Sequence, residues 1–237
     1  MKNMTLAAIA VAGALVGGAA MFGYDRFAAP GGVERAQIER VVHDYVLAHP
    51  EIIPEAMRRL QDRENGSTVA ANRDAIVKPF GSAWAGNPNA DVSVVEYFDY
   101  NCGYCRASLP VIDQLLKDDP NVRIVYRDFP ILAPSSRDAA RASLAAAQQG
   151  KYRAFHDALY AGGQVSEATI AAAAKQTGVD LTKVDDASID AELARNMEVA
   201  QKLGLTGTPS WVIGNRVLSG AMPLDELKRA IATAREG

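Results

Sequence analysis

Tyr97-Phe98-Asp99-Tyr100-Asn101-Cys102-Gly103-Tyr104-Cys105 holds both cysteines of a chain of 237 residues. An apolar run, Val92–Phe98, leads into this stretch, and an amphipathic pattern through Leu109, Ile112, Leu115 and Leu116 leads out of it. The pattern predicts a strand, a tight turn and a helix that begins at the cysteines. A sulfur at such a place faces the free N–H groups and the positive dipole end of the helix, which favour the thiolate. Cys102 is therefore the expected nucleophile, and Cys105, one turn in and more shielded, the expected resolving thiol. A thiolate attacks a disulfide through a mixed disulfide, and a second thiol close by then releases the partner.

Blander readings of a C-x-x-C pair exist. Half a zinc site would need further ligands, but the chain has no second cysteine pair, and His43, His49 and His156 lack zinc-ligand spacing. A purely structural disulfide would close so short a loop that it constrains the unfolded chain little. Two thiolates could also hold a soft ion such as Cu(I), as a side activity of the same site. No cofactor and no resident metal are expected.

The length exceeds what one small α/β redox domain of about 100 residues needs, so an insertion or a second unit is expected. A hydrophobic content of 49% supports a full core, and a net charge of −3 with mixed signs argues against a nucleic-acid partner.

Met1-Lys2 opens the chain with one positive charge, and residues 3–24 carry none. Gly17-Gly18-Ala19-Ala20 closes the apolar part. Residues 1–24 read as an export signal with cleavage after Ala20, or as a retained anchor long enough to cross a bilayer. Either way the rest is expected outside the cytoplasm, in the periplasm, where disulfides persist. Pro30-Gly31-Gly32 is a spacer. Over 33–65 the apolar positions Ile38, Val41, Val42, Tyr45 and Val46, then Ile52, Ile53, Ala56, Met57 and Leu60, recur at helical spacing. They predict two short amphipathic helices broken at His49-Pro50. Each stripe is too small for its own core, so it packs on the redox domain or, as preferred here, on copies of itself. Residues 66–74 are small and polar and read as a linker, leaving 75–237 for the redox domain.

Within that domain, an edge strand is expected over Ile76–Trp84 and a turn at Gly86-Asn87-Pro88-Asn89. Glu96 is the one acid in the strand Val92–Phe98. Buried near the thiols, its carboxyl would have a raised pKa and could move a proton; pointing outward, it would be an ordinary surface acid. A further strand lies within 122–129. Four Ala-rich helical stretches follow at 136–149, 151–160, 166–177 and 188–203, a helical insertion over about 136–204. Ser136 and Ser166 are the expected N-caps, and Gly178 and Gly204 the expected stops. His156, beside Phe155 and Leu159, reads as packing. Residues 210–213, a Gly214-Asn215 turn and 216–218 form a hairpin, and Pro223 opens a closing helix. This order fits a small mixed sheet with helices on its faces, an α/β fold. Thr208-Pro209, just before the hairpin, invites a cis bond. Proline there withholds an N–H, leaving nearby backbone groups to pair with an extended substrate.

Taken together, 94–105 with its C-G-Y-C, Tyr126-Arg127-Asp128-Phe129-Pro130 and Gly207-Thr208-Pro209-Ser210 resemble the DsbA-like thioredoxin-fold thiol-disulfide oxidoreductases over about 76–237. Asp44-Tyr45-Val46-Leu47-Ala48-His49-Pro50-Glu51 is similar to a segment of the ScsC-type (suppressor of copper sensitivity) and Com1-like members. The resemblance implies that Cys102 attacks, Cys105 resolves, Glu96 lies beneath the thiols, and Pro209 is cis with Thr208 facing the site. It marks Gly103, Tyr104, Thr208 and Pro209 as the residues that meet substrate, and 33–65 as an oligomerisation segment, with a trimer favoured. Gly103-Tyr104 departs from the Pro-His of typical DsbA oxidases, and Thr208 resembles isomerases where DsbA has Val.

The expected activity is that of an exported, homo-oligomeric disulfide isomerase or reductase acting on misoxidised proteins and kept reduced by a membrane redox partner. The alternatives are a dithiol oxidase and a copper-tolerance protein.

Overall fold

The computed structural model describes residues 35–236. The signal or anchor read over 1–24, and residues 33–34 of the amphipathic segment, lie outside them. The chain divides into two units, Met1–Arg58 and Arg59–Gly237.

The first unit contains α1 (Arg35–Ala48) and the opening of α2 (Ile52–Ala71). The break at 49–51 contains Pro50, which cannot donate a backbone hydrogen bond to a continuing helix. No residue of α1 is buried, and Ile38, Val41, Val42 and Tyr45 all present apolar surface to solvent, as do Ile53 and Met57 on α2.

The second unit continues through α3 (Arg73–Val77), β1 (Trp84–Gly86), β2 (Val92–Phe98), α4 (Gly103–Asp118) and β3 (Val122–Asp128). The helices α5 (Pro134–Gln148), α6 (Tyr152–Ala161), α7 (Glu167–Thr177) and α8 (Asp186–Lys202) come next. The hairpin β4 (Ser210–Ile213) and β5 (Arg216–Ser219) and the closing helix α9 (Leu224–Glu236) complete it. The sheet order is β1-β3-β2-β4-β5. β2 runs parallel to β3 and antiparallel to β4, with Glu96 opposite Tyr126 on one side and Trp211 on the other.

Both faces of the sheet are covered, so β2 is a nearly continuous apolar run. Val92, Val94 and Phe98 join one core with Ile112, Leu115, Phe155 and Trp211. Val95 and Tyr97 join another with Val69, Ile76, Val125 and Val199. By the alternation of a strand, Glu96 therefore points into the first core. Alanines at 139, 140, 142 and 145–147 let α5 be buried on nearly every side, because a methyl group leaves room for close helix approach. Gly214, at φ 59°, makes the hairpin turn, and a Cβ there would stand 2.8 Å from that of Ala234.

Three expectations are corrected. Residues 66–74 are not a loose linker but helical, ending α2 and starting α3. Val69 and Ile76 are fully buried against the sheet, and that burial outweighs a small, polar local composition. The edge strand is only Trp84–Gly86, while Ile76 belongs to α3. Ser136 is not an N-cap: Ala133 holds that position, with Pro134 following, and the Ser136 hydroxyl accepts the Ala133 N–H at 3.2 Å. Ser166 does cap α7, and Gly178 ends it in the left-handed conformation. Among the described residues no helix is long and apolar enough to cross a membrane.

Candidate active site

α4 starts where β2 ends, and Cys102 is its N-cap residue, with extended backbone angles. Its Sγ accepts the Cys105 N–H at 3.4 Å and, as a thiol, donates to the Thr208 carbonyl at 3.2 Å. Both cysteines are free thiols. Cys102 is 5% exposed and Cys105 1%, so the first is the one a substrate can reach. Burial pushes the Cys105 thiol far above the ordinary range, with the charge of Glu96 adding to it. Cys105 thus keeps its proton until something takes it.

Glu96 lies near enough to both sulfurs for their charges to act on one another. Of its two readings, burial selects the first: the side chain is 2% exposed, and its Oε1 has no hydrogen-bond partner among the described residues. Desolvation, followed by the charge of Cys102, raises its carboxyl to about 8. An acid with that pKa can release and recover a proton near neutral pH, as thiol exchange requires.

Thr208-Pro209 is cis, and the Thr208 carbonyl faces Cys102. Tyr104 is 71% exposed, and among the described residues nothing beyond its chain neighbours and its own helix backbone lies within 4 Å of where a Cβ on Gly103 would be, so the inter-cysteine dipeptide is open to an incoming chain. The expected site residues Cys102, Cys105, Glu96, Thr208 and Pro209 thus converge, with Gly103 and Tyr104 at the rim. Among the described residues no group of three or more His, Cys, Asp or Glu side chains is placed to hold a metal.

His156 packs. Its ring lies 4.7 Å from Tyr126 and 5.4 Å from Tyr152, centroid to centroid, and its Nδ1 meets the Tyr100 hydroxyl at 3.0 Å. Burial, then the charge of Arg153, lowers it to about 3, so the ring is neutral.

Two features escape the sequence reading. Asp99, 2% exposed, accepts the Asn101 N–H at 2.8 Å, an Asx turn that the spacing Asp-x-Asn before the cysteine would have signalled. Arg127 of β3 and Glu192 of α8 form a fully buried ion pair, for which no local pattern gives a sign.

Comparison with known proteins follows the same lines. The DSBA-like thioredoxin domain model matches residues 93–232, and the Copper resistance protein ScsC N-terminal domain model matches residues 34–65. Among solved structures, a thioredoxin-like oxidoreductase from Silicibacter pomeroyi DSS-3 is 42% identical, covering 70% of this chain and 99% of that one, with a TM-score of 0.65. Proteus mirabilis ScsC in a transitional conformation is 28% identical, covering 87% of this chain and 97% of that one, with a TM-score of 0.66. The thiol-disulfide exchange protein alpha-DsbA2 from Wolbachia pipientis is 29% identical, covering 73% and 97%, with a TM-score of 0.67. A curated relative, the Na(+)/H(+) antiporter NhaA 1 of Salinispora arenicola, is 31% identical over 159 residues, which are 64% of this chain and 24% of the antiporter. The chain spans about a quarter of the length of the curated relatives it matches.

Proposed function

The chain belongs to the DsbA-like thioredoxin family of thiol-disulfide oxidoreductases, and from that premise we propose that it isomerises and reduces wrongly paired disulfides in exported, periplasmic proteins. The observation that carries this reading is the asymmetry of the thiol pair: Cys102 at the helix start, the more exposed of two buried sulfurs, beside a proton-retaining Cys105 and a buried acid.

The Cys102 thiolate attacks one sulfur of a substrate disulfide. That S–S bond breaks, a mixed disulfide forms, and the other substrate sulfur leaves as a thiolate and takes up a proton. In isomerisation, a different substrate thiolate then attacks the mixed disulfide, forms a new substrate disulfide and returns Cys102 as the thiolate, with no net redox change. In reduction, Glu96 takes the Cys105 proton while Cys105 attacks Cys102. The second substrate thiol is released, and two electrons have passed from the protein dithiol to the substrate. A membrane dithiol partner restores the reduced pair.

Catalysis is tested with scrambled ribonuclease. Wild-type protein with a thiol reductant is expected to recover ribonuclease activity, Cys102→Ser to lose at least a thousandfold in rate, and Cys105→Ser to accumulate the mixed disulfide. Rapid oxidation of reduced ribonuclease with no recovery of the scrambled form would instead make the protein a dithiol oxidase.

Self-association through α1 and the opening of α2, with a trimer favoured, completes the proposal, since several sites around one cleft hold a non-native substrate longer than one site does. The exposed stripe of Ile38, Val41, Val42 and Tyr45 supports it. Val41→Asp with Tyr45→Asp is expected to reduce the mass seen by light scattering to that of one chain and to slow isomerisation severalfold. An unchanged mass would remove the stripe from the assembly. The alternative is a copper-tolerance protein that holds Cu(I) through Cys102 and Cys105, and copper affinity measured with Cys102→Ser and Cys105→Ser beside the redox assay separates the two readings.

A further inference from the structure

At the end of the sheet away from the thiols, β2 and β3 start, β4 finishes, and the Gly214 turn carries the chain into β5. β2 is seven residues long, so at a strand's ordinary rise the two ends lie on the order of 20 Å apart. The redox chemistry makes no use of this end.

Two cavities, of 210 and 380 Å³, open there. They share Arg73 of α3, Gly214 of the hairpin turn and Ala234 of α9. The smaller is walled by Val77, Val92 and Val212 and takes in Arg123, while the larger takes in Arg216. Arginines from α3, β3 and β5 thus line one pair of adjoining cavities.

None of the three forms an ion pair among the described residues. Arg123 donates to the Ser93 hydroxyl at 2.8 Å and to the Pro88 carbonyl at 3.4 Å, which fixes its plane. Its Nε, and that of Arg216, are buried and have no acceptor among the described residues. Buried donors are nearly always satisfied in folded proteins, so two orphans at one place call for an acceptor. The acids close by are already engaged. Both oxygens of Asp91, the one carboxylate in either cavity wall, accept from Arg235, which also holds Asp119. Glu226 feels the charge of Arg216 but pairs with Arg229. The cavities therefore carry an excess of positive charge in a chain whose net charge is −3.

We propose that these two cavities form an anion site, at the end of the sheet opposite the thiols, for a small molecule that carries two linked phosphoryl groups. A guanidinium presents its N–H groups as a planar fork that matches a pair of oxygens. A carboxylate has one such pair and is filled by one fork. A phosphoryl group has three terminal oxygens and more than one negative charge, so it accepts two forks at once. Arg73, common to both cavities, bridges the two groups, with Arg123 serving the first and Arg216 the second. The valine walls of the smaller cavity keep water away and strengthen the attraction. Nothing in this chemistry draws on Cys102 or Cys105, so the site stands or falls apart from the redox reading.

The test titrates full-length reduced protein by calorimetry with inorganic pyrophosphate, inorganic phosphate and citrate at low ionic strength. Pyrophosphate is expected to bind once per chain, about tenfold more tightly than either of the others, and to lose affinity as salt is raised. Arg73→Ala and Arg216→Ala are each expected to weaken pyrophosphate by about tenfold, and Arg73→Lys, which keeps the charge but not the fork, by about threefold. Arg73 is exposed and Arg216 half-buried on an edge strand. A measurement on wild-type protein needs no variant to fold: saturating pyrophosphate is expected to slow phenylglyoxal modification of Arg73 and Arg216 severalfold, read by mass spectrometry, and to leave the exposed Arg137 unprotected. Pyrophosphate that fails to saturate at millimolar concentration, citrate binding as tightly as pyrophosphate, undiminished affinity in the two alanine variants, or equal modification of Arg73 and Arg216 with and without pyrophosphate would each overturn the site.

Discussion

Glu192→Ala is expected to cost about 3–5 kcal/mol of folding free energy, because it leaves the Arg127 guanidinium buried without its counter-charge. Arg127 is 1% exposed and Glu192 2%. Glu192 Oε1 accepts from Arg127, while its Oε2 accepts from Arg195 at 2.8 Å. The rest of the guanidinium donates to the carbonyls of Ile76 at 3.1 Å and of Lys78. One side chain from β3 thereby joins the sheet, the end of α3 with the residue that follows it, and the last helix of the insertion. Urea unfolding reads the loss directly, and the melting temperature is expected to fall by on the order of 10 °C. Arg127→Met with Glu192→Leu should recover most of the loss, since an apolar pair of similar size avoids desolvating two charges. A cost under about 1 kcal/mol for Glu192→Ala would show that the guanidinium finds water or another acceptor and that the pair does not hold the insertion in place.

Glu96→Gln is expected to act in the opposite sense on stability and to slow catalysis. The Glu96 carboxyl is raised from 4.5 to about 8 in the fold, first by burial and then by the charge of Cys102. Below about pH 4.5 both folded and unfolded chains carry it protonated, and it costs nothing. As the pH rises the unfolded chain ionises first, so the fold loses stability progressively up to about 8 and then levels off. Complete expression of that difference corresponds to about 3–5 kcal/mol. Reduced Glu96→Gln should therefore be more stable than wild type by that order at pH 8.5 and nearly equal to it at pH 4. Asp128, also raised to about 8 by burial, is common to both proteins and cancels in the comparison. Glutamine cannot accept the Cys105 proton, so resolution of the mixed disulfide should slow by about 100-fold, within the ordinary range for loss of a general base. A stability gap that is the same at pH 4 and pH 8.5 would mean that Glu96 does not titrate as its burial requires.

The parts of the molecule legible in the sequence are those governed by near neighbours. The strand, turn and helix at Cys102, the Gly214 hairpin, the Ser166 cap and the Gly178 stop each need only a few adjacent residues to specify them. Glu96 was ambiguous for a definite reason: one acid in an apolar strand reads as buried or exposed until the helices on both faces of the sheet are placed. Residues 66–74 misled because Val69 and Ile76 find their partners far along the chain, in Val95, Tyr97 and Val199, and that packing overrides a composition typical of a linker. The Arg127–Glu192 pair spans 65 positions, beyond any periodicity. Asp99 was half legible, since its turn to Asn101 is local but its hold on the N–H groups of Ile131 and Leu132 is not.

The pairing of Glu96 with Trp211 across β2 and β4 gives the chain an intrinsic optical probe. The indole is wholly buried on the same side of the sheet as the acid, and its N–H is fixed to the Gly220 carbonyl at 2.9 Å, so it is held still and kept from water. Directly opposite cross-strand side chains lie within about 5 Å of one another. Each proton gained or lost at Glu96 therefore changes the field on the ring, and in a Trp84→Phe variant, which removes the chain's other indole, the emission of Trp211 should follow that change without an added label.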